Sequence, residues 1–268
     1  MNLVRRTLTA AVLLGVLFLI IQYAPLWVFF LLSQAVIVAA LLELYALAGR
    51  NGLHPRKALG VLLALLVGLP FAFEAIPLEA ALFAALLAAG VAFLVSVDSA
   101  DKLDGFPAAF AFTVFGPLYL AFTLDFLYRV RLEFGPFPLY FLFAVVFLGD
   151  TGAFFIGKPF GRHKMTPTAS PNKSWEGSAG GFLFALGGAA LARWVLGLDV
   201  SLAAALLTAA AVHSAAQISD PLESLFKRAA GAKDSSNALP GHGGFLDRID
   251  SLILAGPLFY FVVAYLWR

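Results

Sequence analysis

The chain has 268 residues, of which 61% are hydrophobic and 13% charged, and its mean hydropathy is +0.90. An average soluble domain is about 45–50% apolar and about 25% charged, so an ordinary soluble globular domain and a disordered chain are both excluded. A net charge of +2 discriminates little, and the absence of cysteine removes a disulfide framework, a thiol nucleophile and a thiolate metal site.

Crossing a bilayer takes about 20 mostly apolar residues, so eight or nine crossings need roughly 160–180, which this composition supplies. Apolar runs predict spans over 8–22, 26–48, 58–73, 78–97, 106–127, 137–157, 175–197, 201–220 and 249–267. The first follows Arg5 and Arg6 as the apolar part of a signal peptide would. No small-residue cleavage site followed by a polar chain comes after it, so it is read as a span. The third is short, and the fifth is interrupted by Gly116-Pro117; neighbouring helices can satisfy the backbone that such residues free. The expected fold is an all-α polytopic integral membrane protein with about nine transmembrane helices. Residues 1–135 form an N-terminal group of five, and 136–268 a catalytic transmembrane region with two long loops, 158–174 and 221–248.

Cytoplasmic loops are rich in Lys and Arg. With the N-terminus inside, the inner segments hold Arg5, Arg6, Arg50, Arg56, Lys57, Lys102, Lys158, Arg162, Lys164, Lys173, Lys227, Arg228, Lys233 and Arg248. The outer side holds Arg129, Arg131, Arg193 and Arg268, a split of 14 to 4. Nine spans then place the C-terminus outside and both long loops in the cytoplasm.

The densest polar segment runs from Ser219 to Ser251. Asp247 and Asp250, three apart, share a face at a helix start, and Asp220 is expected to end the preceding span. Mg²⁺ needs one or two carboxylates plus substrate phosphates. Lys227, Arg228, Lys233 and Arg248 offer charge to phosphate oxygens, and Gly241-His242-Gly243-Gly244 can aim backbone N–H groups at an anion. Together these residues suit transfer of a phosphorus centre at the cytoplasmic membrane face. Plainer readings stand beside this one. Asp220-Pro221-Leu222-Glu223 is also a helix-capping pattern. Asp247 and Asp250 also complement a helix dipole. The basic residues also serve orientation, and Gly243-Gly244 also makes a turn.

A second cluster begins at Gly149-Asp150-Thr151-Gly152 and continues through Gly161-Arg162-His163-Lys164 to Ser170-Pro171-Asn172-Lys173-Ser174-Trp175-Glu176-Gly177 and Gly180-Gly181. Asp150 lies inside an apolar run, where a carboxylate is a functional candidate or the partner of another helix. Trp175 is read as an interfacial anchor or a site residue. His213, Gln217, Asp220 and Ser224 form one stripe of the eighth span, facing the protein interior or a wet cavity, with His213 more often a packed hydrogen-bond partner than a ligand.

Ser224 to Asp250, reading S-x-x-K-R-x4-K-D-x-S-x3-P-G-H-G-G-x-x-D-R-x-D, resembles the signature of the phosphatidate cytidylyltransferase family. The D-T-G-A…F-G-R-H-K…S-P-N-K-S-W-E-G…G-G pattern of 149–181 is similar to that family's second conserved region. The resemblance covers about 149–268; before that, only span pattern and length agree. The chain departs where the family usually has Gly-Asp-Leu, here Ser219-Asp220-Pro221, and where it often has Tyr, here Phe154. Pro221 bears on where that helix ends.

The resemblance implies that CTP and phosphatidate give CDP-diacylglycerol and pyrophosphate, with Mg²⁺ and a second cation, in a homodimer of the inner membrane whose active site faces the cytoplasm. No nucleic-acid partner is implied. By position it makes Asp220 and Asp247 the leading metal ligands, with Asp250 close by. The catalytic set becomes Asp220, Lys227, Arg228, Asp247 and Asp250. The substrate-binding set becomes Lys173, Ser174, Lys233, Asp234, His242, Gly243, Gly244 and Arg248.

Two rivals were weighed. CDP-alcohol phosphotransferases use D-x2-D-G-x2-A-R-x8-G-x3-D-x3-D; Asp101, Asp104, Gly105 and Ala108 match its first half, but Ala109, Leu118, Phe122 and Phe126 replace the Arg, the Gly and both later Asp residues. Without those carboxylates that metal site cannot form. A transporter using Asp150, His213 and Asp220 as an ion path would be expected to show two repeated halves, and no repeat is visible.

Overall fold

The computed structural model describes residues 15–100, 103–239, 241 and 243–267. The order is α1 (15–23), α2 (Leu26–Arg50), α3 (Lys57–Ala72), α4 (Leu78–Ser96), α5 (Phe106–Phe134), α6 (Phe137–Phe160), β1 (Lys164–Thr166), β2 (Ser170–Ser174), α7 (Trp175–Val195), α8 (Leu202–Ala229) and α9 (Leu246–Leu266). Seven of the described helices are long and apolar enough to cross a membrane; α3, with 16 residues, is shorter. Residues 8–14 of the first predicted span, and Asp101, lie outside the described residues. The chain is a polytopic helical membrane protein. A short antiparallel hairpin, pairing Lys164 with Ser174 and Thr166 with Ser170, occupies the 158–174 segment that was expected to be a loop.

Outward faces suit lipid. On α4 only Ala81, Ala85, Ala89 and Phe93 are buried, a stripe at every fourth residue, while Leu94 and Val95 are 80% and 77% exposed. Apolar exposure on this scale is untenable against water and normal against acyl chains.

The chain divides into two compact units: 1–128 with 229–248, and 129–228 with 249–268. In the first, Tyr45 of α2 is fully buried and donates to the Thr113 carbonyl at 2.7 Å. Gly60 and Gly116 make its slot, because a Cβ at either would stand within 2.8 Å of the Tyr45 hydroxyl. The Gly116-Pro117 pair therefore does not interrupt the span; α5 runs on through it. Asp125 of α5, also fully buried, accepts from Gln34 Nε2 at 2.6 Å.

In the second unit α6 and α7 approach backbone to backbone. A Cβ on Gly177 would lie 3.0 Å from both the Ala153 carbonyl and Gly157 Cα, and one on Gly181 3.0 Å from the Gly149 carbonyl. Small residues at such a crossing let membrane helices gain dispersion contacts that larger side chains would prevent. His213 of α8 fills the space left by Gly149 and Gly181, is fully buried, and lies 2.7 Å from Gln217 Nε2. Its Nε2 is thus engaged within α8.

α8 extends nine residues beyond Asp220 and passes through Pro221. This corrects the expected helix end: Asp220 lies in the helix interior and caps nothing. Between α8 and α9 the described residues, 230–239, 241 and 243–245, are irregular.

Candidate active site

In the second unit, the hairpin carries the first candidate cation. Ser174 caps α7, its hydroxyl accepting from the Gly177 N–H at 3.1 Å. The Glu176 carboxylate accepts from the Arg162 and His163 N–H groups at 3.1 and 3.2 Å and pairs with His163 Nδ1 at 2.5 Å. Arg228 Nε donates to the Ala169 carbonyl at 3.2 Å, fastening the hairpin turn to the end of α8. So anchored, the end of β2 presents Lys173, whose ammonium lies 2.7 Å from Asp220 Oδ2, each side chain 28% exposed.

Further charges gather around that pair. Asp150 on α6 is exposed, lies within electrostatic reach of Lys173 and Asp220, and accepts from the Ser251 hydroxyl. Asp250 on α9 faces Asp220, Glu223 and Lys227, and its Oδ1 accepts from the Ser251 N–H at 2.7 Å. Glu223, fully buried, pairs with Lys227 at 2.6 Å. Asp150, Asp220, Glu223 and Asp250 set four carboxyl groups against the two ammonium groups of Lys173 and Lys227. Ser219, which stands where the resembling family has Gly, joins α8 to α9: its hydroxyl donates to the Asp250 carbonyl and accepts from the Leu254 N–H.

In the first unit, Asp247 stands in the first turn of α9. Its Oδ2 accepts from the Ser235 N–H at 2.9 Å, the Ser235 hydroxyl at 2.8 Å and the Gly244 N–H at 2.8 Å. The next two amides, Phe245 and Leu246, donate to Glu43 of α2 at 3.0 and 2.9 Å. The amides of 244–246 thus do point at anions, and the anions are the chain's own. Gly243 has φ +78°, and a Cβ there would meet Asp247 Oδ2 at 2.7 Å. Lys233, Asp234 and Arg248 are exposed, while Pro240 and His242 lie outside the described residues.

Sequence reasoning had weighed Asp150 but kept it out of the site set, and had taken Glu223 only for a capping residue. It passed over Glu43 and Ser235, and held Ser236 only as the fixed serine of the K-D-x-S motif, with no role given to it. Glu43 had a signal, being an acidic residue inside a predicted span.

The donors are oxygens throughout, which suits a hard divalent cation. Among the described residues no three Asp, Glu or His side chains form a ready-made metal cage. Mg²⁺ needs none when substrate phosphates complete its shell.

The profile of the cytidylyltransferase family matches residues 4–266. The phosphatidate cytidylyltransferase of Bacillus subtilis is 32% identical over 97% of both chains. That of Haemophilus influenzae is 42% identical over 50% of this chain and 52% of its own. That of Pseudomonas aeruginosa is 47% identical over 46% of this chain and 45% of its own, so these two alignments span about half of each protein. With the profile matched almost end to end and a relative above 30% identity aligned over nearly its full length, the chain belongs to the cytidylyltransferase family.

Proposed function

We infer that the protein transfers the cytidylyl group of CTP to phosphatidate, giving CDP-diacylglycerol and pyrophosphate for phospholipid synthesis. An oxygen of the lipid phosphate forms the new bond to the α-phosphorus, and the bond from that phosphorus to the bridging oxygen breaks as pyrophosphate leaves. The attacking phosphate is already anionic at neutral pH and needs no strong base. The barrier lies in bringing two anions together, which cationic side chains lower. The observation that carries this reading is the Lys173–Asp220 pair set among Asp150, Glu223, Lys227 and Asp250.

Asp220, Asp247 and Asp250 are the proposed Mg²⁺ ligands. The ion's contribution there is to neutralise phosphate charge and orient the leaving group, and a second cation is proposed beside it. Lys173, Lys227, Arg228, Lys233 and Arg248 are proposed to receive phosphate oxygens, with Asp234, His242, Gly243 and Gly244 near the nucleotide. Ser174 contributes as the cap that fixes Lys173. The protein is proposed to act as a homodimer in the inner membrane, N-terminus inside, C-terminus outside and active site facing the cytoplasm.

The test is pyrophosphate release by the purified protein. Release requiring CTP, phosphatidate and Mg²⁺ together is the expected result. Release without phosphatidate, or none under any Mg²⁺ concentration, overturns the reading.

A further inference from the structure

Glu43 is the only acidic residue of α2 and is 8% exposed. A buried carboxylate in an apolar helix is costly unless fully hydrogen-bonded. All of its described bonds go to one distant segment. Oε1 accepts from the Ser236 hydroxyl at 2.7 Å and the Phe245 N–H at 3.0 Å. Oε2 accepts from the Ser235 hydroxyl at 2.9 Å and the Leu246 N–H at 2.9 Å. The two amides stand at the start of α9, where a helix leaves N–H groups without partners of its own. One carboxylate therefore grips the loop at both ends.

Asp247 closes the same loop from within, through Ser235 and Gly244. The Ser235 hydroxyl lies 2.9 Å from Glu43 and 2.8 Å from Asp247. It has one proton, so Glu43 sets how much of that proton Asp247 receives. The fit excludes a larger residue: a Cβ on Gly244 would stand 2.3 Å from Glu43 Oε2 and 2.1 Å from Ser235 Oγ.

We propose that Glu43 is a positioning residue for cytidylyl transfer, fixing the 235–246 loop and the start of α9 and thereby the Asp247 carboxylate. The inference rests on the assignment of Asp247 to Mg²⁺. Partners that orient a metal ligand typically change affinity or activity by about 10–100-fold when removed.

Glu43→Gln keeps the size. Serine hydroxyls can turn to accept from its amide, but the Phe245 or Leu246 N–H then faces an NH₂ group and loses its acceptor. With folded Glu43→Gln protein, kcat is expected to fall about 10–100-fold, and the Mg²⁺ concentration for half-maximal rate to rise severalfold. The KM for phosphatidate should stay within about twofold, since this substitution removes no assigned lipid contact. Hydrogen exchange of the 235–246 segment, measured without metal or substrate, should speed up about tenfold or more while α6 and α7 are unchanged. Wild-type kcat and Mg²⁺ dependence would overturn the proposal even if the melting temperature fell, because that combination describes a helix cap alone.

Asp247→Asn, assayed in parallel, separates the two claims. An active Asp247→Asn removes the metal assignment and this inference with it. An inactive Asp247→Asn beside a normal Glu43→Gln removes this inference only. If Glu43→Gln does not fold, Ser236→Ala deletes a single donor to Oε1. A smaller shift of the same sign in exchange and Mg²⁺ dependence is then expected, and no shift in either overturns the proposal.

Discussion

Asp220 has helix on both sides and its charge facing Lys173, so its carboxylate has no capping duty to lose. Asp220→Asn is expected to leave the fold intact and to lower kcat by about 10²-fold or more, since one charge of the proposed metal site is gone. Asp247→Asn should do the same, because an Asn oxygen can still accept from Ser235 and Gly244. The double variant should be scarcely worse than either single one, as residues acting together are not additive. Near-normal turnover in purified Asp247→Asn at ordinary Mg²⁺ would overturn the metal reading. Lys173→Ala should also cut activity while the protein still purifies folded; full activity would remove the hairpin from the site. These residues stand out in the sequence because a charge in so apolar a chain is rare and costly. Glu43 carried the same signal, but its role did not show, since its partner Ser235 lies 192 positions away and no local pattern joins them.

Among the elements, most spans were legible from apolar run length alone, and α2, α4 and α7 begin and end within two residues of their expected limits. The end of α8 was misjudged for a physical reason. Hydropathy marks where a helix leaves the hydrocarbon, and the helix itself continues for another nine residues. The hairpin was illegible because its three- and five-residue strands are too short to show alternation. The paired glycines of the second cluster line the α6–α7 crossing. Gly177→Ala would press a methyl group on backbone atoms 3.0 Å away that cannot rotate aside. Overpacking of this kind costs about 1–3 kcal/mol, so the detergent-solubilised protein should melt several degrees lower. Gly187→Ala on the same helix meets nothing within 4 Å and should melt unchanged or slightly higher. Equal melting of the two variants would show that the close approach is not what holds the helices.

At the scale of the whole molecule, the placement of charge governs orientation more than its total does. With 14 basic residues assigned to one side and 4 to the other, a reporter fused after residue 268 should read as periplasmic and one in the 230–245 loop as cytoplasmic. A cytoplasmic reading at residue 268 would mean that one span is miscounted, with α3 the first suspect. The glycine-lined crossing of α6 and α7 also has a mechanical consequence. Two rods touching along their backbones, joined by a short hairpin, have little slack between them. Drawn out of a bilayer from the C-terminal end by a force probe, after α9 and α8 have come free, α6 and α7 should leave together. The force trace would show one rupture with the contour length of both helices, where loosely packed neighbours would give two.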